Sequence, residues 1–251
     1  MFKRKRIWII GGSSGIGLEL VKILLMNYYK IIISSRKATS NQSLLDLRST
    51  YKDSIYLLNL DVNQGNFNNQ IKEAWSVYNG LDIWFYNAAA YEVMGIDEWN
   101  IDKFIAMNQT NYMGAVKIMT EILPYFEKQG FGRWIWNLSL SAYFGLPKGG
   151  AYSAPKAALL NLAQAIQPEL KIKNINMQII NHGFVKTRLT AKNKFDMPQL
   201  MTPEFAAQKI FEGMQKESEF EIAFPFKLGT FLKILALLPY KISLVITKKM
   251  L

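Results

Sequence analysis

Near its amino terminus the chain reads Ile7-Trp8-Ile9-Ile10-Gly11-Gly12-Ser13-Ser14-Gly15-Ile16-Gly17. The continuous apolar run at residues 7–10 predicts a strand that is buried on both faces. The glycines predict a tight turn, and residues 16–28 predict a helix. A turn in this position sets backbone N–H groups at a helix amino terminus, where they can bind pyrophosphate. A glycine pattern alone is weak evidence, because any tight strand–helix turn needs similar residues.

The rest of the chain alternates between strand-like and helix-like segments. At 251 residues, half of them apolar, it suits one α/β domain. We expect a single doubly wound Rossmann-type domain over residues 1–251, a parallel sheet of about seven strands with helices on both faces. The predicted strands are residues 7–10, 31–33, 55–60, 83–86, 134–138, 177–180 and 219–224. The predicted helices are residues 16–28, 63–78, 101–129, 152–170 and 203–216.

The composition excludes some chemistries. There is no cysteine, so disulfides, thiolate zinc sites and cysteine nucleophiles are impossible, and no metal site is predicted. The net charge of +11 fits a phosphorylated cofactor, an acyl carrier, an anionic membrane or simply a solvated surface. We expect no nucleic-acid binding, because the basic residues form no stripe with interleaved aromatics. Only four apolar residues follow the basic start, too few for a secretory signal, so we expect a cytoplasmic protein.

A second informative pattern is Tyr152-Ser153-Ala154-Pro155-Lys156, which begins thirteen residues after Ser139. Positions i and i+4 share a helix face, so the phenol and the ammonium can point into one pocket. A buried ammonium beside a phenol lowers the phenol's pKa from about 10 toward neutrality. Such an acid can protonate a carbonyl oxygen while a hydride arrives at carbon. The pattern therefore predicts redox chemistry on a carbonyl or an alcohol.

These features, in this order, resemble the short-chain dehydrogenase/reductase family over residues 6–190. The family's serine and its Tyr-x3-Lys pair correspond to Ser139, Tyr152 and Lys156, and its helical Asn-x-x-Gly to Asn111-Tyr112-Met113-Gly114. Asn108 competes for the asparagine role, but no glycine follows it three residues later. The resemblance implies that Tyr152 transfers the proton, while Lys156 lowers its pKa and holds the nicotinamide ribose. It also implies that Ser139 hydrogen-bonds the substrate oxygen, and that Asn111 organises water behind the lysine.

The same resemblance implies a dinucleotide site. The family's Gly-x3-Gly-x-Gly turn is present, its acidic residue facing adenine is followed by valine, and its Asn-Ala-Gly motif reads Asn87-Ala88-Ala89. Its Pro-Gly after the sixth strand reads His182-Gly183. The residues implied to bind the dinucleotide are Gly11, Ser13, Ser14, Gly15, Ile16, Gly17, Arg36, Asp61, Val62, Asn87, Ala88, Tyr152, Lys156, Gly183, Val185 and Thr187.

Arg36, at the end of the second predicted strand, bears on cofactor choice. An acidic side chain there would accept hydrogen bonds from a ribose 2′-hydroxyl and repel a 2′-phosphate. A guanidinium fork suits phosphate instead, so we expect NADP(H). NAD(H) is the alternative, because Arg36 and Lys37 are also typical solvated loop charges. In addition, Ser14 stands where the family has a further basic residue.

His182 is the only histidine of the chain and departs from the family pattern. A structural histidine near the nicotinamide end is the first expectation. A substrate contact or a pH-sensitive element is the alternative. Two smaller departures are Ile10, where the family has threonine, and Ala89, where it has glycine.

Two segments have further functional interpretations. Residues 184–202, the lid segment, are polar without clear periodicity and follow a strand end, which favours a substrate lid. Residues 225–251, the tail, are apolar with interspersed lysines, and Lys233 and Pro239 interrupt any membrane-spanning run. The tail either covers the cleft or a subunit interface, or lies on a membrane surface.

The sequence thus predicts an NADP(H)-dependent oxidoreductase that interconverts a carbonyl compound and an alcohol. We expect an apolar substrate, because Phe195, Met197, Leu200 and Met201 lie in the lid segment and the tail is apolar. The alternative is a binding module that senses the dinucleotide without turnover. The resemblance also implies a homodimer or homotetramer.

Overall fold

The computed structural model describes residues 4–250. Residues 1–3 and Leu251, which the predicted domain and tail include, lie outside the described residues. The seven strands are β1 (Arg6–Ile10), β2 (Lys30–Ser35), β3 (Ile55–Asn59), β4 (Ile83–Tyr86), β5 (Gly132–Asn137), β6 (Ile175–His182) and β7 (Glu221–Phe224). They form one sheet in the order β3-β2-β1-β4-β5-β6-β7, with every pair parallel. The predicted seven-stranded parallel sheet is confirmed.

In the described part of the chain, nine α-helices flank this sheet. They are α1 (Gly15–Met26), α2 (Gln42–Tyr51), α3 (Asn68–Val77), α4 (Ile101–Asn108), α5 (Gly114–Gln129), α6 (Gly150–Ile172), α7 (Pro203–Met214), α8 (Phe226–Leu237) and α9 (Tyr240–Lys248). Because successive side chains point to opposite faces of a strand, β1 contributes to two hydrophobic cores, one on each face of the sheet. Ile7 and Ile9 pack with residues of α1 and α7, whereas Trp8 and Ile10 pack with residues of α5 and α6.

Several helices differ from the sequence prediction: α3 begins at Asn68 rather than residue 63, and α8 and α9 were not among the predicted helices. Helix α2 was not predicted, because its sequence QSLLDLRSTY is mostly polar and buries only Leu44. Its start is fixed by Asn41, whose side chain accepts a hydrogen bond from the Leu44 amide at 3.1 Å. The single helix predicted over residues 101–129 is interrupted by a π-helical turn at Gln109–Met113.

The strand order brings the predicted functional residues together at the carboxyl ends of neighbouring strands. The order runs from β1 outward in both directions, so the crevice between β1 and β4 is the switch point where open parallel sheets bind ligands. The carboxyl ends of β1, β4, β5 and β6 carry the glycine turn, Asn87, Ser139 and Gly183 to this edge. The topology therefore predicts a binding cleft there.

The tail folds into α8 and α9 beside the same edge. Leu232 and Leu235 of α8 pack against Leu140, just after β5. A polar cluster also fixes α8, since Lys233 and Tyr143 both hydrogen-bond to the Glu221 carboxylate. Among residues 4–250, no helix is both long and apolar enough to span a bilayer.

Candidate active site

A cleft of about 920 Å³ lies at the carboxyl ends of the strands. All the site residues predicted from the sequence line it except Gly17 and Asn111, which lie behind its wall. The cleft also contains residues of the lid segment and of the tail. This gathering of residues from across the sequence makes the cleft the candidate active site; the role of each residue stays a prediction.

The glycine turn leaves space that only glycine can provide. Gly11 has a φ of +94°, and a Cβ there would lie 2.7 Å from the Ala88 amide nitrogen. A Cβ on Gly17 would lie 2.2 Å from the Gly11 carbonyl oxygen. Ser14 precedes α1 in an extended conformation and makes no side-chain cap. The first amides of α1 therefore receive no cap from this side chain, an arrangement that fits an anionic phosphate group.

A chain of hydrogen bonds connects the glycine turn to Lys156. The Asn87 amide donates to the Gly11 carbonyl at 2.7 Å. The Asn137 amide donates to the Asn87 side-chain oxygen, also at 2.7 Å. Lys156 Nζ in turn donates to the Asn137 backbone carbonyl at 2.7 Å. Two asparagines thus fix the position of the glycine turn relative to Lys156.

Asn137 is a site residue that the sequence reasoning missed. It was counted within the apolar run 134–138, although a polar residue at a strand end two positions before Ser139 was an available signal. The residue is 6% exposed, and its Oδ1 finds no hydrogen-bond partner among the described residues. Its amide and its carbonyl nevertheless connect the two halves of the site.

Ser139, Tyr152 and Lys156 meet at the floor of the cleft. Lys156 is 1% exposed, and its Nζ lies 5.8 Å from the centre of the Tyr152 ring. The Ser139 hydroxyl donates to the His182 carbonyl at 3.5 Å, and its proximity acts to lower the pKa of the Tyr152 phenol. It also accepts hydrogen bonds from the Ser141 amide at 3.2 Å and the Ser141 hydroxyl at 3.0 Å. These contacts fix the serine hydroxyl near the phenol.

The direction of the Tyr152 pKa shift is opposite to the sequence prediction. Desolvation in the cleft raises the pKa of the phenol, and the nearby Ser139 hydroxyl offsets only part of that rise. Burial also lowers the pKa of Lys156 to about 7. The reason is that loss of solvent disfavours both charged forms. Burial thus works against the full ammonium charge that the sequence prediction placed beside the phenol.

Asn111 lies in the π-helical turn and is fully buried. Its side chain accepts from the Ala90 amide and donates to the Ala90 carbonyl, both at 2.8 Å. Gly114 permits the close packing beneath, since a Cβ there would lie 2.4 Å from the hydroxyl of Tyr86. Asn111 thus fixes the loop after β4, and its water-organising role behind Lys156 stays a prediction.

Comparison with known proteins agrees with this geometry. The sequence pattern of a protein family described as short chain dehydrogenase matches residues 5–197. The chain belongs to the short-chain dehydrogenase family. An uncharacterized oxidoreductase of Myxococcus xanthus is 26% identical to it over 232 residues, which are 92% of this chain and 91% of the relative.

Solved structures show the same fold as this dehydrogenase. A short-chain dehydrogenase from Streptomyces avermitilis superposes with a TM-score of 0.83 at 20% identity, covering 99% of this chain and 98% of its own. A short chain dehydrogenase from Burkholderia cenocepacia, solved in complex with NADP, superposes with a TM-score of 0.79 at 19% identity, covering 93% of each chain. The predicted family and fold class are both confirmed.

The lid segment of the dehydrogenase closes on itself at its base. The Lys186 amide donates to the Met201 carbonyl at 2.8 Å, and the Met201 amide donates to the Phe184 carbonyl at 2.9 Å. Inside this loop, Thr190 Oγ1 donates to the Val185 carbonyl at 2.6 Å. The segment is thus a compact loop with a paired base.

Two contacts tie the lid segment across the cleft of the dehydrogenase. Tyr91 Oη donates to Asn193 Oδ1 at 3.0 Å, and Lys192 pairs with Glu92 at 2.6 Å. The ring of Tyr91 also meets the ring of Tyr152 edge-on, with centroids 4.9 Å apart. No sequence signal pointed to Tyr91, because its partners are long-range. It links the lid segment to the floor of the site.

His182 sits at the end of β6, beside the cleft. Its Nδ1 donates to the Gly183 carbonyl at 2.7 Å, and its ring packs near Phe224. Burial lowers its pKa to about 4. The imidazole is therefore neutral between pH 5 and 8, which favours the structural interpretation over the pH-sensitive one.

Proposed function

We propose that this short-chain dehydrogenase is an NADP(H)-dependent oxidoreductase that interconverts an apolar carbonyl compound and its alcohol. The observation that carries the proposal is the hydrogen-bonded line from the glycine turn through Asn87 and Asn137 to Lys156, with Tyr152 and Ser139 beside it. This line connects the glycine turn, which we propose binds phosphate, with the proposed proton donor in one cleft. A nicotinamide dinucleotide would supply the hydride.

The residues present fit such a dinucleotide. The glycine turn and the amides of α1 would hold the pyrophosphate, with Thr187 close by, since a Cβ on Gly15 would lie 3.2 Å from its Cγ2. Asp61 and Val62, after β3, would face the adenine. The exposed Arg36 lines the cleft beside Ser35 at the end of β2 and would bind a 2′-phosphate.

Proton transfer falls to Tyr152. Because its pKa is raised, the phenol is protonated at neutral pH, the state that a carbonyl reduction needs at its start. Ser139, fixed by Ser141, can donate a hydrogen bond to the same substrate oxygen. Lys156 holds its position through the Asn137 carbonyl and can return a proton toward the phenol.

An apolar substrate suits the outer part of the cleft. Its walls there include Leu140, Leu146, Phe195 and Phe231. Apolar walls with a few polar groups at the floor are typical of small-molecule sites. These walls would bind the carbon skeleton of a lipophilic carbonyl compound while the polar floor orients its oxygen.

The test is NADPH and NADH oxidation with a panel of lipophilic ketones and aldehydes. We expect NADPH to be preferred, and Tyr152→Phe to lower kcat by about a hundredfold or more, since general acid catalysis contributes 10²–10⁴. Tyr125→Phe is the matched control, because this tyrosine packs against Trp75 away from the cleft. Tight NADPH binding without turnover of any compound would favour the dinucleotide sensor instead.

A further inference from the structure

Helix α9 presents most of its apolar side chains to the outside. Its fully buried side chains are polar: Ser243 is 0% exposed and Thr247 is 5% exposed. Ile242, Leu244 and Val245 are 48%, 58% and 58% exposed, and only Ile246 is half-buried, packed against the cluster that contains Leu232. A surface helix of a globular protein normally has the opposite arrangement. The outer face of α9 is therefore built for an apolar environment.

Helix α8 extends this apolar surface. It turns Gly229, Leu232 and Leu235 toward the protein, while Phe226 and Leu237 are 82% and 85% exposed. The exposed apolar side chains of both helices, together with Met250 two residues after α9, form what we call the tail patch: Phe226, Phe231, Ile234, Leu237, Tyr240, Ile242, Leu244, Val245 and Met250. Isolated exposed apolar residues are normal, but a set of this size on two consecutive helices indicates a covered surface.

The charge of the tail indicates which kind of partner covers the tail patch. From Pro225 to Leu251 the sequence contains five lysines and no aspartate or glutamate. Lys227, Lys241 and Lys248 are exposed beside the tail patch. In a symmetric contact between two copies both surfaces would carry this same positive charge, which is unfavourable. Apolar side chains flanked by lysines are instead what an interfacial helix on anionic lipid requires.

The tail patch also reaches the mouth of the candidate active site. Phe231 and Met250 belong both to the patch and to the lining of the cleft, and Leu228 and Leu232 of α8 line the cleft next to them. A bilayer in contact with the patch would thus lie at the entrance of the cleft.

We propose that the tail patch docks on the surface of an anionic lipid bilayer, with the mouth of the cleft beside the lipid. The two helices are too short to span the bilayer, so they lie in its interface with lysines toward the headgroups. A further consequence, which rests on the proposed function, is that an apolar carbonyl compound dissolved in the bilayer enters the cleft without crossing water.

Vesicle flotation of the full chain tests this proposal. We expect the protein to float with vesicles of phosphatidylcholine and phosphatidylserine at low salt. It should float less at high salt and little with phosphatidylcholine alone, because the lysine contribution is screened or lost. Leu244→Glu with Val245→Glu should weaken flotation by about tenfold for each side chain. Ile172→Glu is the matched control, because Ile172 is 85% exposed at the end of α6. It precedes the start of β6 and so lies near the amino-terminal ends of the strands, away from the cleft.

Two further measurements keep the outcome clear. The double variant should retain the circular dichroism spectrum and melting temperature of the wild type, and its turnover of a small water-soluble carbonyl should be unchanged, so that membrane docking is tested separately from catalysis. Absence of wild-type flotation on the anionic vesicles at low salt would overturn the proposal. So would equal flotation of the wild type and the double variant. A dimer in sedimentation velocity that dissociates in the double variant, without vesicle binding, would assign the patch to a second copy.

Discussion

Replacement of Gly17 by alanine tests the link between the glycine turn and the rest of the site. The added Cβ would lie 2.2 Å from the Gly11 carbonyl oxygen and 2.7 Å from the Asn87 side-chain nitrogen. Side-chain atoms do not approach backbone oxygen this closely, so the turn must move outward. That movement breaks the 2.7 Å hydrogen bond between Asn87 and Gly11.

The expected magnitude follows from the groups that lose their partners. A buried polar group left unpaired costs about 1–3 kcal/mol. The better helix propensity of alanine at the start of α1 returns about 1 kcal/mol, so we expect a net loss of stability of up to about 2 kcal/mol. Misplaced phosphate-binding amides cost about 1.5–3 kcal/mol more, because hydrogen bonds to charged groups are the stronger kind. The Kd for NADPH should therefore rise by about ten- to a hundredfold.

Isothermal titration with NADPH and urea unfolding measure these two effects. Gly65→Ala is the matched control, because a Cβ at Gly65 would meet nothing within 4 Å. We expect this control to bind NADPH like the wild type. If Gly17→Ala bound NADPH as tightly as Gly65→Ala with the same stability, the role assigned to the hydrogen-bonded line would be refuted.

Two further predictions concern the tail and the lid segment. Burial raises the pKa of Glu221, but hydrogen bonds from Lys233 and Tyr143 lower it more, so the net shift is downward. The stability that this carboxylate provides is therefore complete above its ordinary pKa of 4.5 and is lost as pH falls through its folded-state pKa. The melting temperature of Glu221→Gln should consequently fall less steeply with decreasing pH than that of the wild type. Tyr91→Phe removes the bond to Asn193, worth about 0.5–1.5 kcal/mol, and should speed hydrogen exchange in the lid segment. Unchanged exchange would show that the lid segment is held without this tyrosine.

The sheet could be predicted from the sequence because its strands are buried on both faces. Residues 7–10 are all apolar, and each of them is at most 1% exposed. Helix α2 escaped prediction for the opposite reason, since it lies on the surface and buries one leucine. The π-helical turn at Asn111 also escaped, because no apolar period distinguishes a widened turn from a regular one.

Most of the residues that line the cleft were predicted from the sequence, but their electrostatics were not. The spacing of Ser139, Tyr152 and Lys156 indicated that they share a pocket, and the structure brings them together. The direction of the Tyr152 pKa depends on how far water is excluded around two groups, which spacing does not report. Tyr91 acts through a partner 102 residues away, so only the tertiary structure identifies it, whereas Asn137 was marked in the sequence by its polar side chain at a strand end.

The hydrogen-bonded line from Gly11 to Lys156 has a practical consequence for redesign. Substitutions at its glycines or asparagines should disturb dinucleotide binding and proton transfer together, because the same hydrogen bonds position the groups proposed for both. Arg36 is not part of this hydrogen-bonded line and is exposed at the rim of the cleft. Under the proposed function, a variant at this single arginine should therefore change the preference between the two nicotinamide coenzymes without disturbing that line.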